Sequence, residues 1–433
     1  MVGSAYRSRS GILERLPLSA FLPIGAPTPP TLSFDVKFYI RTLGCKMNLL
    51  DSARVATALR RAGHDQVDEE QAADMVVVNS CTVTAESDRK SRQAAHGATR
   101  EGKRVVVMGC GPRVDPKRWQ QLLPKVDVIG SDAELVALGI DTTPVVMPIA
   151  PRARLPVPIQ HGCDNRCAFC ITRVARGPHR NEPLDTVVEH VKRASLLGVN
   201  EVVLTGINLA AWGCSNTNRP TESRLPSLLR SLLSRTSIPR IRLSSLGPEY
   251  LDDAFFEVFV DHRICDHLHL SAQSGSPAVL ERMQRGHGVQ QILRAAERAR
   301  YSRPDVAITA DFIVGLPGEA EADFQQTLNL VREVQFAQLH VFPFSPRAGT
   351  PASKMPFQVS AEDKKRRSLE LRTRGRTLRA KFLDAQEGKP AVGLVEGDGT
   401  VLTSNYIRLR ASGGRRGGLL NLVIAGDDMV RLR

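Results

Sequence analysis

The feature that most constrains this chain is a long alternation of short apolar runs with segments of helical periodicity. From about Val36 the strand-like runs are KFYIRTL, MVVVN, VVVMG and VDVIG, with helices expected at 48–62, at 86–99 and near Arg118. A second series contains PVPIQ, EVVLTG, RIRLSSL, HLHLSA, ITADFIVG and QLHVFPF, with helices expected near 184–197, 225–236, 249–261, 289–300 and 319–334. Apolar runs that alternate with amphipathic helices predict βα units and mostly parallel sheets. The expected fold class is therefore α/β.

This alternation divides the chain into four segments. Residues 1–35 are expected to form an irregular N-terminal arm, and residues 36–143 an α/β domain with a parallel sheet. Residues 144–385 begin with a proline-rich linker (Pro144, Pro148, Pro151, Pro156 and Pro158) and continue with six βα units. Six units instead of eight predict a partial, open-sided barrel that can admit a bulky substrate. Residues 386–433 alternate over short runs and predict a small β-barrel.

Eight cysteines in a chain without a recognisable export signal are expected to be reduced thiols. Three of them, Cys45, Cys81 and Cys110, each stand at the carboxyl end of a predicted strand. Ligands collect at that edge of a parallel sheet, so the topology should bring these thiols to one rim. The alternative is three unrelated buried cysteines, which the shared topological position disfavours. Cys214 and Cys265 fit no pattern and are interpreted as ordinary thiols.

The other three cysteines form the compact motif Cys163-x3-Cys167-x2-Cys170. A closed zinc site needs four ligands, so three thiolates from one loop suit it poorly. An iron–sulfur cubane with three protein ligands leaves one iron open to a small molecule. With Phe169 before the last cysteine, the motif resembles the radical S-adenosylmethionine (radical SAM) superfamily. That resemblance implies that S-adenosylmethionine chelates the open iron, and that an electron donor, which the sequence does not identify, triggers release of a 5′-deoxyadenosyl radical.

A wider resemblance covers the chain from about Val36 to its end. The matching segments are TLGCKMNLLDS, VVNSCTVTAESDRKSRQ, VVMGC, IQHGCDNRCAFCITRVARGP, EVVLTGINLAAWG, RLSSLGPE, HLHLSAQSGSPAVLERMQRG, ADFIVGLPGE and LHVFPFSPRAGTPA. Together they resemble the methylthiotransferase family, which combines an N-terminal cluster domain, a radical SAM barrel and a C-terminal TRAM barrel that holds tRNA. The resemblance implies two 4Fe–4S clusters. Cys163, Cys167 and Cys170 would hold the radical cluster, and Cys45, Cys81 and Cys110 the auxiliary one.

The resemblance also implies an S-adenosylmethionine pocket at the ends of the barrel strands. Thr205 and Gly206 would face the methionine moiety, Ser244 and Ser245 the ribose, and the backbone of Ile313, Val314 and Gly315 the adenine. The alternative is that these small residues only allow close strand–helix packing. Gln273 and Asp311 stand at further strand ends. Asn48 and Asp51 either orient polar groups near the auxiliary cluster or cap the helix that begins there, and capping is the preferred interpretation. His161 is interpreted as a hydrogen-bonded histidine at a strand end and not a ligand.

Within the family, GCKMN and CTVTAESDRKSRQ resemble the branch that methylthiolates C2 of N6-threonylcarbamoyladenosine at position 37 of tRNA. The isopentenyladenosine branch more often has GCQMN, and the branch that modifies a ribosomal-protein aspartate has GCPKN. Leu316, Ala320 and the run Gly286-His287-Gly288 depart from the usual family pattern beside the expected substrate opening. A non-catalytic RNA-binding protein with structural clusters is an alternative of another class. An adenine C2–H bond is too weakly acidic for acid–base catalysis, so a radical route suits this substrate.

Charge supports a nucleic-acid partner. The chain carries 59 basic and 45 acidic residues, a formal net charge of +14. Residues 360–433 hold 16 basic and 9 acidic residues, which accounts for +7 of that excess. A basic surface predicts either a solvated helix face or contacts with phosphates, and the 5% aromatic content argues against a base-stacking platform. No run reaches the roughly 20 apolar residues that span a bilayer, so we expect a cytoplasmic protein without a membrane partner. The family resemblance implies that its partner is the anticodon stem-loop of tRNA.

Overall fold

The computed structural model describes residues 36–137, 153–397, 399–411, 413–425 and 430–432. The predicted N-terminal arm and three linker prolines, Pro144, Pro148 and Pro151, lie outside the described residues. Pro156 and Pro158 belong to the first barrel strand instead of the linker. Within the described part of the chain, no helix is both long and apolar enough to cross a membrane.

The first domain is a five-stranded parallel sheet flanked by helices, as predicted. Its strands, in the spatial order β2-β1-β3-β4-β5, are β1 (Lys37–Thr42), β2 (Asp65–Gln66), β3 (Met75–Ser80), β4 (Arg104–Gly109) and β5 (Asp127–Val128). Its helices are α1 (Lys46–Arg61), α2 (Ala85–Arg100), α3 (Cys110–Val114), α4 (Pro116–Leu122) and α5 (Asp132–Ala137). Every residue of β3 is buried, as expected for a valine-rich strand with helices on both faces. The two-residue strand β2 is too short for its periodicity to show in the sequence.

The second domain contains the six predicted parallel strands and a short antiparallel pair. The parallel strands are β6 (Arg154–Pro158), β9 (Glu201–Thr205), β10 (Arg240–Leu243), β11 (His267–Gln273), β12 (Ala307–Val314) and β13 (Gln338–Pro343), and the pair is β7 (Gln160–His161) with β8 (Arg180–Asn181). Continuous pairing joins β6, β9 and β10, and separately β11, β12 and β13. Isolated parallel bridges, Ile241 to Ile264 and Leu246 to Leu270, link the two halves. The result is the partial (β/α)6 barrel expected from the sequence.

Eight helices accompany these strands and close one side of the curved sheet. They are α6 (Thr172–Arg176), α7 (Leu184–Leu196), α8 (Leu225–Arg235), α9 (Asp253–Phe259), α10 (Pro277–Arg282), α11 (Val289–Ser302), α12 (Glu321–Val334) and α13 (Ala361–Asp384). Helix α9 is shorter than the predicted 249–261 because the Asp252 side chain caps it, accepting a hydrogen bond from the Phe255 backbone N–H at 2.9 Å. The basic segment after residue 360 forms α13, whose Arg372 donates to the Val341 carbonyl of β13 at 2.9 Å.

The C-terminal part is a small antiparallel β-domain. Its strands, in the order β16-β15-β14-β17-β18, are β14 (Pro390–Val395), β15 (Thr400–Thr403), β16 (Arg408–Arg410), β17 (Leu419–Ile424) and β18 (Val430–Leu432). It packs against the amino-terminal ends of the barrel strands, opposite the edge where the barrel cysteines lie. The joint is a buried ion pair: Arg242 donates to Glu201 at 2.7 Å and to the carbonyls of Thr403 and Ser404 at 3.0 Å each.

Arg242 and Glu201 are both buried, and Arg240 adds a second contact to Glu201 at 2.8 Å. Burial alone would raise the pKa of Glu201, but Arg242 and Arg240 outweigh it and hold that pKa below its usual value. The guanidinium of Arg242 also lies 5.2 Å from the Tyr406 ring centroid, and Tyr406 stacks on His267 with ring centroids 4.3 Å apart. These contacts couple the C-terminal domain to the barrel through charge and aromatic packing.

Replacing Arg242 by Met should lower the free energy of unfolding by about 3–5 kcal/mol, because Glu201 would stay buried without its main counter-ion. The measurement is urea denaturation followed by tryptophan fluorescence. The matched control is Arg235→Met, because Arg235 pairs with Asp185 at 2.8 Å on the surface and should contribute less than about 1 kcal/mol. Equal destabilisation by the two variants would contradict the role assigned to the buried pair.

Candidate active site

One cavity of about 380 Å³ lies between the first domain and the barrel. All six predicted cluster cysteines line it: Cys45, Cys81, Cys110, Cys163, Cys167 and Cys170. The first three follow strands β1, β3 and β4, and the last three lie in the loop after β6 and β7. The structure therefore brings the two cysteine sets, which come from different domains, to a single space.

Glycines allow the cysteine-bearing strand ends of the first domain to pack closely. Gly44, with φ +105°, precedes Cys45, and a Cβ there would lie 2.8 Å from the Cys81 Cβ. Gly109, with φ +94°, precedes Cys110, and a Cβ there would lie 2.3 Å from the Asn79 side-chain oxygen. Both positions combine a left-handed backbone with no room for a side chain, so glycine is required there.

Asn48 holds these strand ends in place and is not a helix cap. Helix α1 begins at Lys46, and its capping residue, Cys45, makes no side-chain capping bond. The Asn48 amide donates to the carbonyls of Leu43 and Ser80, at 2.9 Å each. Its side-chain oxygen lies 3.5 Å from the Cys45 Sγ and 3.9 Å from the Cys110 Sγ. The capping prediction is wrong because the tertiary contacts of this buried amide replace a local bond.

Arg176 of α6 connects the barrel to this network. It donates to the Asn48 side-chain oxygen at 2.6 Å and to the Asp51 carboxylate at 2.5 Å. Asp51 is therefore an interdomain partner and not the predicted cap. Burial alone would lower the pKa of Arg176, but Asp51 outweighs burial and raises the pKa above its ordinary value. Arg347 makes a second interdomain contact, donating to Thr82 at 2.5 Å and lying 3.5 Å from Asp88.

The barrel cysteines lie in a loop that is held in place by backbone hydrogen bonds and by contacts with neighbouring elements. The Cys163 N–H donates to the Gly177 carbonyl at 3.1 Å, and the Ala168 N–H to the Met283 carbonyl at 2.9 Å. Arg285 donates to the Cys167 Sγ at 3.2 Å, and its Nη2 donates to the Ser271 carbonyl at 3.4 Å. A guanidinium beside a sulfur favours the thiolate that metal ligation requires.

Burial acts on the thiols in the opposite direction. It raises the pKa of Cys163 and of Cys110 to about 11 each. Burial also raises the pKa of Cys167, although Arg285 partly counteracts this effect. Thiols that line one cavity are suited to soft metal ions, which displace the thiol protons when they bind. The donor set in each domain is three thiols, which fits a cubane that has one open iron.

The predicted S-adenosylmethionine residues divide into two groups. Thr205, Gly206, Ser244 and Ser245 line the cavity, as do Phe169, Gln273 and Asp311. The Ser244 hydroxyl is buried and has no hydrogen-bond partner in the described part of the chain, so it is available to a ligand with hydroxyl groups. Ile313, Val314 and Gly315 are not among the lining residues. Val314 is fully buried in the barrel core, and the Gly315 N–H donates to the Glu319 carboxylate.

Four other residues considered in the sequence, His161, Cys214, Cys265 and His287, do not line the cavity. The His161 ring is hydrogen-bonded through Nε2 to the Glu182 carboxylate at 2.6 Å, and His161 does not line the cavity. Both observations agree with its interpretation as a strand-end histidine. Cys214 and Cys265 are buried outside the cavity. His287, in the run that departs from the family pattern, is buried and lies 3.0 Å from Glu249, which lines the cavity.

Four basic residues at the cavity are not indicated by the sequence motifs: Lys46, Arg173, Arg176 and Arg285. Asn48, the partner of Arg176, and Cys167, the partner of Arg285, lie more than 100 residues away from them in the chain, so no local pattern marks these contacts. Lys46 stands in the GCKMN segment beside Cys45, and that position is the only sequence signal for it. Its side chain is exposed to the cavity space, while burial by the surrounding protein lowers its pKa below the ordinary value.

Comparisons with known proteins agree with this geometry. Residues 157–331 match the Radical SAM superfamily, and residues 37–131 match a group described as Uncharacterized protein family UPF0004. The solved structure of the radical S-adenosylmethionine methyltransferase TsrM from Kitasatospora setae superposes with a TM-score of 0.55 at 15% identity, covering 74% of this chain and 77% of that one. A likeness at that identity supports the fold. Fold and cysteine loop together define a radical SAM enzyme.

Curated relatives identify the family within the radical SAM superfamily. The threonylcarbamoyladenosine tRNA methylthiotransferase MtaB of Thermotoga maritima is 34% identical over 379 residues, which is 82% of this chain and 86% of the relative. The tRNA-2-methylthio-N(6)-dimethylallyladenosine synthase of Paracoccus denitrificans is 34% identical over 346 residues, or 74% of this chain and 77% of the relative. The chain belongs to the radical SAM methylthiotransferase family. Its superfamily uses S-adenosylmethionine and a 4Fe–4S cluster.

Replacing Arg176 by Met should lower the stability of the interdomain contact by roughly 1.5–3 kcal/mol, because Asp51 and Asn48 would lose a charged hydrogen-bond donor. Chemical denaturation of the purified protein measures this change. Arg54→Met is the matched control, since Arg54 lies 3.9 Å from Asp51 and should contribute less than about 1 kcal/mol. The interpretation fails if Arg176→Met is no more destabilising than Arg54→Met.

Proposed function

We propose that this protein methylthiolates C2 of N6-threonylcarbamoyladenosine at position 37 of tRNA. The observation that carries the proposal is the common cavity lined by both cysteine sets. A methylthiolation must place a sulfur source and a radical source beside the same carbon, and two sets of three thiols around one space meet that requirement. Four of the curated relatives, at 31–34% identity, carry the name of this activity.

In this proposal Cys163, Cys167 and Cys170 hold the radical cluster, while Cys45, Cys81 and Cys110 hold an auxiliary 4Fe–4S cluster. When bound, the two clusters and S-adenosylmethionine supply the radical, the sulfur and the methyl group. The chain orients these groups: Arg285 donates to Cys167, and Asn48 and Arg176 support the strand ends that carry Cys45 and Cys110. The free Ser244 hydroxyl supports its assignment to the ribose of S-adenosylmethionine.

The domain division is part of the same proposal. Residues 36–143 would form the auxiliary-cluster domain, 144–385 the radical SAM barrel and 386–433 a TRAM-like domain that binds tRNA. Two exposed arginines, Arg415 and Arg416, lie in the loop before β17 and are available to phosphates. The long basic helix α13 leads from the barrel into this domain and extends the positive surface. Phosphate contacts would position the tRNA, while the cavity selects the nucleoside.

Nucleoside analysis tests the substrate. Cells without this protein should lose the 2-methylthio group from threonylcarbamoyladenosine in tRNA while keeping the unthiolated nucleoside, as measured by mass spectrometry of digested tRNA. Relatives named for dimethylallyladenosine are 32–34% identical to this chain, so the isopentenyl nucleoside is the second candidate. Loss of methylthio-isopentenyladenosine would correct the substrate and keep the chemistry. Unchanged tRNA together with a missing methylthio group on a ribosomal protein would assign this chain to the branch that modifies a ribosomal-protein aspartate.

Mutations in the two cysteine sets should affect S-adenosylmethionine cleavage and methylthiolation differently. Cys167→Ala removes one of three ligands from the radical site, so reductive cleavage of S-adenosylmethionine and methylthiolation should both be lost. Cys81→Ala removes a ligand in the other domain, so 5′-deoxyadenosine should still form while methylthiolation stops. Iron and sulfide content, 5′-deoxyadenosine and modified nucleoside are measured for each reconstituted variant. Cys214→Ala is the matched control, because Cys214 is buried outside the cavity and should retain both activities.

Full methylthiolation by Cys81→Ala would refute the auxiliary role of the first-domain cysteines. Normal cleavage of S-adenosylmethionine by Cys167→Ala would refute the assignment of the radical site. A non-catalytic protein with structural clusters would show neither activity in the unmutated chain.

A further inference from the structure

Two cationic side chains that line the cavity, Lys46 and Arg173, have no ion-pair partner among the described residues. Among the described residues, Lys46 makes no hydrogen bond or ion pair, although it lines the cavity beside Cys45. The two buried arginines differ from it: Arg176 is engaged by Asp51 and Asn48, and Arg285 by Cys167 and Ser271. An unpaired ammonium group in a confined space favours an anionic ligand.

The position of Lys46 shows which part of a ligand it would meet. It is the first residue of α1, directly after Cys45, and it lines the cavity between the first domain and the barrel. A substituent of a nucleoside held between the two cysteine sets would therefore be able to reach Lys46.

Asp311 places a hydrogen-bond acceptor elsewhere on the cavity wall. Asp311 lines the cavity and lies 3.1 Å from His269 and 3.2 Å from His340. The two imidazoles occupy one oxygen of this carboxylate and fix its orientation. His269 is fixed in turn by Thr309, at 2.7 Å. Asp311 therefore suits hydroxyl and N–H groups of a ligand, while a carboxylate is better placed beside Lys46 than beside Asp311.

We propose that Lys46 binds the carboxylate of the threonylcarbamoyl substituent and so selects this nucleoside over those with uncharged N6 substituents. The inference rests on the proposed function and adds a specificity-determining residue to it. An apolar substituent would displace water from the ammonium group without giving it a partner, which disfavours that substrate. A lysine suits this task because its flexible stem can follow a mobile carboxylate.

The test uses the full-length, anaerobically reconstituted protein and two synthetic anticodon stem-loops. They are identical except that the threonine carboxylate at position 37 is replaced by a carboxamide in the second. Dissociation constants and kcat/KM for methylthiolation are measured for both. The unmutated protein should prefer the carboxylate by roughly 10- to 100-fold, the range for a charged hydrogen bond. Lys46→Met should reduce this preference to near unity, and Lys46→Arg should retain most of it.

Control variants distinguish binding of the substrate carboxylate by Lys46 from binding of other anionic groups in the cavity. Arg173 also lines the cavity and is exposed, so Arg173→Met should weaken both RNAs by the same factor if it meets phosphates, and should leave the preference intact. Iron content and 5′-deoxyadenosine formation without RNA report on folding and on binding of S-adenosylmethionine. If Lys46→Met loses iron, Lys46→Gln provides a second neutral variant.

Two results would overturn the inference. One is a preference for the carboxylate that survives in a neutral, iron-loaded Lys46 variant. The other is a Lys46 variant that raises the KM for S-adenosylmethionine and weakens both RNAs equally, which would assign Lys46 to the cofactor or to phosphate. Failure of the proposed function gives a different result, because an unmutated protein that methylthiolates neither RNA contradicts that function. The two dissociation constants need no turnover and still decide the role of Lys46.

Discussion

The contact between Arg176 and the pair Asn48 and Asp51 is the interaction on which the site depends. Arg176 follows the barrel cysteine loop by six residues, and Asn48 contacts two of the first-domain thiols. One guanidinium thus sets the position of one cysteine set relative to the other. The interaction is also buried, so separating the domains would leave charged and polar groups without partners. This cost favours an arrangement in which both cysteine sets stay at one cavity.

Parallel-sheet topology explains why such a contact can build a site. In both domains the strands run in the same direction, and their carboxyl ends carry the residues with special chemistry. Two such edges placed face to face enclose a space lined by residues from many strands. The amino-terminal ends of the barrel strands have a structural role instead, since Arg242, Glu201 and Arg240 join the C-terminal domain there. Chemistry and tRNA binding would therefore use opposite ends of the barrel.

Much of this arrangement could be predicted from the sequence. Strand β3 begins with a continuous apolar run, Met75 to Val78, which marks it in the sequence. The cysteines after β1, β3 and β4 occupy equivalent positions, so their convergence follows from topology alone. Local patterns do not reveal tertiary partners. Asn48 and Asp51 stand near a helix start and were interpreted as caps, yet their partners come from strand ends and from a helix 125 or more residues away. Arg285 contacts Cys167 across 118 residues for the same reason.

Anomalous diffraction at the iron absorption edge, from crystals of the anaerobically reconstituted protein, tests the central claim most directly. The account predicts two separate iron clusters that both open into the cavity between the first domain and the barrel, one at Cys163, Cys167 and Cys170 and the other at Cys45, Cys81 and Cys110. It would be contradicted by a single cluster in fully reconstituted protein, or by two clusters that open into different spaces.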